Sequence, residues 1–196
     1  MAHRTPSVIF KLFSASGAIT VALTESSKMS YGWETSRGYQ PIAQWVSTCN
    51  DEIPPNAVVG GYDISGENLY IGRTSHEGEI IPGKVVASHG TCYVSYGGIE
   101  HSKRNYQVLI HTATGTDFIW LEASHGEVPS GAVQGEPKCL HQFVDYYSPF
   151  IGGVGDDGER LFIGRVEHEG SMCIGKVHPS HNSCYIAFGG QEHAYQ

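Results

Sequence analysis

The sequence predicts an all-β protein, and three observations carry that reading. Short runs such as "NLYIGRT" and "TCYVSY" alternate apolar and polar residues with period two, and no stretch sustains a helical period between capping residues. Glycine pairs at 60–61, 97–98, 152–153 and 189–190 punctuate those runs as turn or bulge residues do. The third observation is internal repetition: slid by 92 positions without gaps, residues 60–101 fall on residues 152–193 with 22 identities in 42 positions.

Taken along the chain, the first 40 residues stand outside the repeat. They hold no acid before Glu25, and Lys11 interrupts the apolar core that a secretory signal needs, so they read as a poorly ordered leader with a weak presequence character. A first unit spans 41–115 and a second 116–196. "QWVSTCNDEIPPNAV" (44–58) matches "IWLEASHGEVPSGAV" (119–133) at a shift of 75, with Trp45 on Trp120 and Pro54 on Pro129. The two shifts differ by 17 (92 − 75), which places an insertion near 134–151 in the second unit. "RLFIGRV" and "SCYIAF" repeat the two alternating runs, and "NYQVLIH" (105–111) is a further strand candidate. Its counterpart would lie beyond Gln196, so the second unit lacks a last strand of its own. "SVIFKLF" near the N-terminus is one segment able to fill that place; an open sheet edge or a truncated sequence are the others.

Composition excludes several function classes. A net charge of −8 with 12 scattered basic residues does not suit a phosphate-tracking protein, so nucleic acid is not an expected partner. No apolar run is long enough to span a bilayer. Five cysteines without a CxxC pair suit reduced thiols, which points to the cytoplasm.

Two readings of the duplicated "SHGTCYVSYGGIEH" and "SHNSCYIAFGGQEH" concern chemistry. His89, Cys92 and His101, with copies His181, Cys184 and His193, include metal-ligand residue types, but no close pair typical of structural zinc is present. A Cys–His nucleophile would need an accessible thiolate, whereas Cys92 alternates in phase with Val94 and Tyr96 as a buried residue does. Neither a metal, a cofactor nor catalysis is expected, and these stretches read as strand-and-turn scaffolding. Upstream, "GGYDISGENLYIGRTSHEGEIIPGK" places Asp63, Glu67, Glu79 and Lys84 around glycine-rich turns, with Tyr62 and Tyr70 among them. A carboxylate beside an ammonium group, near an aromatic face, suits vicinal sugar hydroxyls. On spacing alone, a solvated face with local ion pairs explains the same residues.

Through "WVSTCNDEIPPNAVVGGYDISGENLYIGR", "HEGEIIPGKV", "DGERLFIGRVEHEG" and "GKVHPSHNSCYIAFGGQEH", the chain from Gln44 to Gln196 resembles the DM-nine repeat family of invertebrate proteins. The resemblance implies antiparallel sheets from two tandem repeats related by a pseudo-two-fold. It also implies a non-catalytic, calcium-independent lectin that recognises mannose-type glycans on microbial surfaces in innate immunity. The implied sugar-binding residues are the Asp of "YD" and the Lys of "PGK", Asp63 and Lys84 here. In the second unit Asp63 falls on Gly155, with Asp156 and Asp157 following, and Lys84 falls on Lys176. One strong site and one weak or absent site are therefore expected, with Glu79, Asp157 and Lys176 as weaker candidates. Homodimerisation would add avidity to a shallow site. The alternative is an interaction protein that keeps the fold and has lost the sugar.

Overall fold

The computed structural model describes residues 7–11, 43–49, 52–112, 118–128 and 152–196. The fold is all-β and antiparallel. Its strands are β1 (Ser7–Lys11), β2 (Ala43–Cys49), β3 (Val59–Tyr62), β4 (Asn68–His76), β5 (Glu79–Val86), β6 (Thr91–Tyr96) and β7 (Ile99–Lys103). They continue as β8 (Asn105–His111), β9 (Phe118–Glu122), β10 (Gly153–Val154), β11 (Arg160–His168), β12 (Ser171–His178), β13 (Ser183–Phe188) and β14 (Gln191–Tyr195). Single 3-10 turns at Ala87–His89 and Pro179–His181 link β5 to β6 and β12 to β13. No helix among the described residues is long and apolar enough to cross a membrane. The insertion near 134–151 lies outside the described residues.

Turn chemistry explains why certain dipeptides occur twice. β4–β5 and β11–β12 are closed by Glu77-Gly78 (φ 48° and 89°) and Glu169-Gly170 (φ 48° and 79°). Gly97-Gly98 and Gly189-Gly190 close β6–β7 and β13–β14 with φ near 59° and 83°. Two-residue hairpin loops with positive φ at both positions match the twist of the flanking strands. "HEG" and "GG" thus repeat because four hairpins need the same backbone.

The two repeats interlock. β5 pairs along its whole length with β4, while its other edge is shared between β6 and β10 of the second repeat. β12 does the same with β11, β13 and β3 of the first repeat. Pairing thus runs β4-β3-β12-β11-β10-β5 and back to β4, a closed circuit with approximate two-fold symmetry. Close approach at the crossings requires glycine: a Cβ on Gly61 would overlap the Met172 carbonyl, and one on Gly153 the Ile80 carbonyl.

β8 pairs with β2 and β4, setting Gln107 opposite Arg73 and Val108 opposite Gly72. In the second repeat β1 takes the equivalent place. It pairs with β9 and β11, with Ser7 opposite Arg165 and Val8 opposite Gly164. The strand in that place of the second repeat thus comes from inside the segment set apart as a leader. The physical reason is that β9 and β11 would otherwise present unpaired N–H and C=O groups.

Leu69, Ile71, Ile163 and Ile174, with Val58, Val86 and Leu109, form a buried cluster drawn from both repeats. Separate clusters fill each repeat, around Ile81, Val85, Cys92 and Val108 in the first and Phe162, Val177, Cys184 and Ile186 in the second. Residues of both repeats meet in one core, so the halves pack as one unit.

Candidate functional site

The PGK segment of β5 turns the Lys84 side chain into the interface between repeats, where it is 8% exposed. Nζ donates to the carbonyl of Ala187 in β13 at 2.6 Å and lies 3.4 Å from Glu100 Oε1 of β7. Two rings flank it, Tyr93 at 5.6 Å and Phe188 at 5.2 Å. A buried cation needs such partners: an opposite charge, a carbonyl and aromatic faces. Glu100 is itself held by the other repeat, since its Oε2 accepts from the Gly190 N–H at 2.7 Å and its own N–H donates to Gly190 O at 3.2 Å. Each repeat alone is therefore incomplete at this point.

Asp63 sits in the turn between β3 and β4. Its Oδ1 accepts from the Ser65 N–H, the Ser65 hydroxyl and the Glu67 N–H at 2.8, 2.7 and 2.8 Å. The Ser65 hydroxyl first, then the backbone N–H groups, hold its pKa below the ordinary 3.8, so it is ionised at neutral pH. Asp63 and Lys84 line a common cavity of about 240 Å³ with Glu100, Tyr93, Phe188, His89 and Ser171. His89 is exposed and its Nδ1 lies 3.0 Å from the Tyr93 hydroxyl, which orients that ring.

A second frame of the same kind surrounds Lys176. Nζ lies 3.4 Å from Glu192 Oε1, between Tyr185 at 5.4 Å and Tyr96 at 5.5 Å. Glu192 Oε2 accepts from the Gly98 N–H at 2.8 Å, the reciprocal of the Glu100–Gly190 tie. The turn before β11 also keeps its backbone. Gly155 N–H donates to Glu159 O and Gly158 N–H to Gly155 O, as Asp63 and Gly66 do in the first repeat. Gly155 is therefore the true positional partner of Asp63. Asp157 compensates: its Oδ1 accepts the Glu159 N–H at 2.8 Å and lies 3.0 Å from where a Cβ on Gly155 would stand. A carboxylate is thus present in that turn, reached from two residues further on and without a register shift.

The sequence candidates divide between the two places. Asp63 and Lys84 share the first cavity, while Asp157 and Lys176 belong to the second turn and second frame. Glu79, though written in the first repeat, lies in the second frame. It is 8% exposed, accepts the Asp156 N–H and feels the charge of Lys176. Burial raises its pKa above 4.5, while Lys176 and the Asp156 N–H pull it back. The glutamates of the duplicated "GGIEH" and "GGQEH" are not mere scaffolding, because each is the counter-ion of a buried lysine. Their identical place after the glycine pair was the available signal. Phe188 and Ser171 carried none, since they come from the other repeat.

Within that stretch and its copy, Cys92, Cys184, His101 and His193 serve packing. Cys92 is fully buried and its thiol pKa is raised far above 9.0, while burial pushes Cys184 up to about 12. His101 and His193 hydrogen-bond to the carbonyls of Tyr96 and Phe188 at 3.1 Å. Among the described residues, the metal-ligating types that come together are instead Asp157, Glu159 and His178, whose ligand atoms lie within 4.8 Å. There Glu159 is engaged by the Ser180 N–H at 2.8 Å, the Ser180 hydroxyl and His178 Nε2 at 3.0 Å. Glu67 binds Ser88 in the same way without a histidine. The group is accounted for as the tie between a strand start and its 3-10 turn.

The family model described as DM9 repeat matches residues 18–102, 69–136 and 142–195. Among solved structures, that of the nematode sperm cell motility protein MFP2B aligns at 14% identity and a TM-score of 0.49. The alignment covers 81% of this chain and 46% of that one, so this chain spans less than half the length of that protein. No curated protein matches it in sequence.

Proposed function

The chain belongs to the DM9 repeat family, and from that premise we propose that it is a non-catalytic, calcium-independent lectin for mannose-type glycans of microbial surfaces, acting in innate recognition. The observation that carries this reading is the cavity shared by Asp63 and Lys84. The Lys84 ammonium has three N–H donors; one goes to Ala187 O and one faces Glu100, leaving one for a ligand oxygen. Asp63 spends Oδ1 on its own turn, and Oδ2 is left to accept a hydroxyl proton. One ion donating and one accepting suits adjacent hydroxyls of a pyranose, whose apolar face rests on a ring such as Tyr93. Both groups are preset by the fold, so little ordering opposes binding. The site is small, and affinity for a monosaccharide is expected in the range of about 10 μM to 1 mM.

The test is titration calorimetry with mannose in the presence of EDTA. Wild-type protein is expected to bind, and Asp63→Ala to lose binding at least about tenfold, since a charge-assisted hydrogen bond is removed. Undiminished affinity in Asp63→Ala would remove the proposed site. A well-folded sample with no signal across a glycan array would favour an interaction protein that keeps only the scaffold.

A further inference from the structure

The two lysine frames are built alike but not lined alike. In the first, Ser171 of β12 lines the cavity with Lys84, and the residue after Asp63 is Ile64, 79% exposed. Under the shift of 92 their counterparts in the second frame are Glu79 and Asp156. The first frame therefore sets two carboxylates, Asp63 and Glu100, around its ammonium group. The second sets Glu192 and Glu79 against Lys176, with Asp156 beside Glu79. A single lysine does not neutralise them, and the charge of Asp156 falls on both Glu79 and Tyr96.

A further observation concerns Glu192. Its Oε1 is shielded from solvent and receives no hydrogen bond within the described structure; the Lys176 ammonium, at 3.4 Å, faces it as an ion pair. A buried carboxylate oxygen without a hydrogen-bond donor adds to the uncompensated negative charge of the frame. The frame also keeps the features read as a sugar site in the first repeat, with tyrosines on both sides of the lysine.

We propose that the second frame is a separate site for a carbohydrate carrying a free ammonium group, a hexosamine or a deacetylated hexosamine chain, and that Glu79 confers the selection. This rests on reading the lysine–glutamate–ring frame as a sugar site. Glu79 accepts from the ammonium group, the tyrosine faces attract the same cation, and hydroxyls beside it meet Lys176 and Asp157. An N-acetylated sugar offers no positive charge and adds bulk at that point.

The experiment is calorimetry at neutral pH with EDTA, comparing glucosamine, N-acetylglucosamine and mannose. Wild-type protein and Asp63→Ala are expected to prefer glucosamine over N-acetylglucosamine by about tenfold or more, the scale of one charge-assisted hydrogen bond. Glu79→Ser, which writes the first site's residue into the second, and Glu79→Gln, which keeps the shape, are both expected to abolish that preference and leave mannose binding intact. Equal binding of the two amino sugars, or a preference that survives in Glu79→Gln, overturns the proposal. A preference that requires metal, and so disappears with EDTA, overturns it as well. If mannose binds through Asp63 while the glucosamine preference is absent, this inference alone fails; if no sugar binds, the lectin reading fails with it.

Discussion

Removing the Glu100 carboxylate is expected to damage stability more than a surface charge would. The pair with Lys84 is separated by 3.4 Å and its side chains are 10% and 13% exposed. At an effective dielectric constant of about 20 that separation corresponds to roughly 5 kcal/mol of attraction. Breaking a pair of this burial from one side costs about 3–5 kcal/mol, because the remaining ion stays buried. The Gly190 N–H also loses its acceptor, which adds to the loss at the junction between repeats. Glu100→Ala is thus expected to lower the unfolding free energy by about 3–5 kcal/mol, read from the urea midpoint at unchanged slope. Lys84→Met combined with Glu100→Leu, which removes both charges, is expected to recover most of that loss. Sugar binding is expected to be lost in the double variant, which lacks the Lys84 ammonium. A loss below about 1 kcal/mol in Glu100→Ala would mean that solvent screens the pair, as at an exposed salt bridge. The account of a composite, buried site would then be refuted.

Deleting residues 1–11 should expose the edges of β9 and β11, lower the melting temperature and promote concentration-dependent association, read by light scattering. An unchanged melting temperature would show that β1 contributes no stability. Native protein should release to a thiol reagent at pH 8 no signal from Cys92, Cys173 or Cys184, since all three are buried with raised pKa values. For Cys184, at about 12, the thiolate fraction at that pH is on the order of 10⁻⁴. Mass mapping of fast labelling on any of them would contradict the packing. Glu159 supplies a pH dependence: burial pushes its pKa up, but Ser180 and His178 outweigh that and bring it below 4.5. Its stabilisation is therefore complete above about 4.5 and is lost as pH falls through the lower folded value. Ser180→Ala should flatten the fall in urea midpoint between pH 6 and pH 3, and an unaltered slope would dismiss the tie.

Local chemistry is what the sequence by itself determines here. Period-two runs place β4, β6, β11 and β13, and the repeated "HEG" and "GG" dictate hairpins because only certain residues accept positive φ at both turn positions. Asp63 and Lys84 are singled out by the family resemblance rather than by their spacing, and "SVIFKLF" is one of three ways to complete the second repeat. Which segments meet across the repeats was decided by tertiary structure alone. Glu79 faces Lys176 rather than Lys84, Phe188 flanks Lys84 from the other repeat, and Asp157 reaches back over Gly155. The physical reason is range: turn and strand preferences act over a few residues, whereas these contacts follow from long-range pairing of β3 with β12 and β5 with β10.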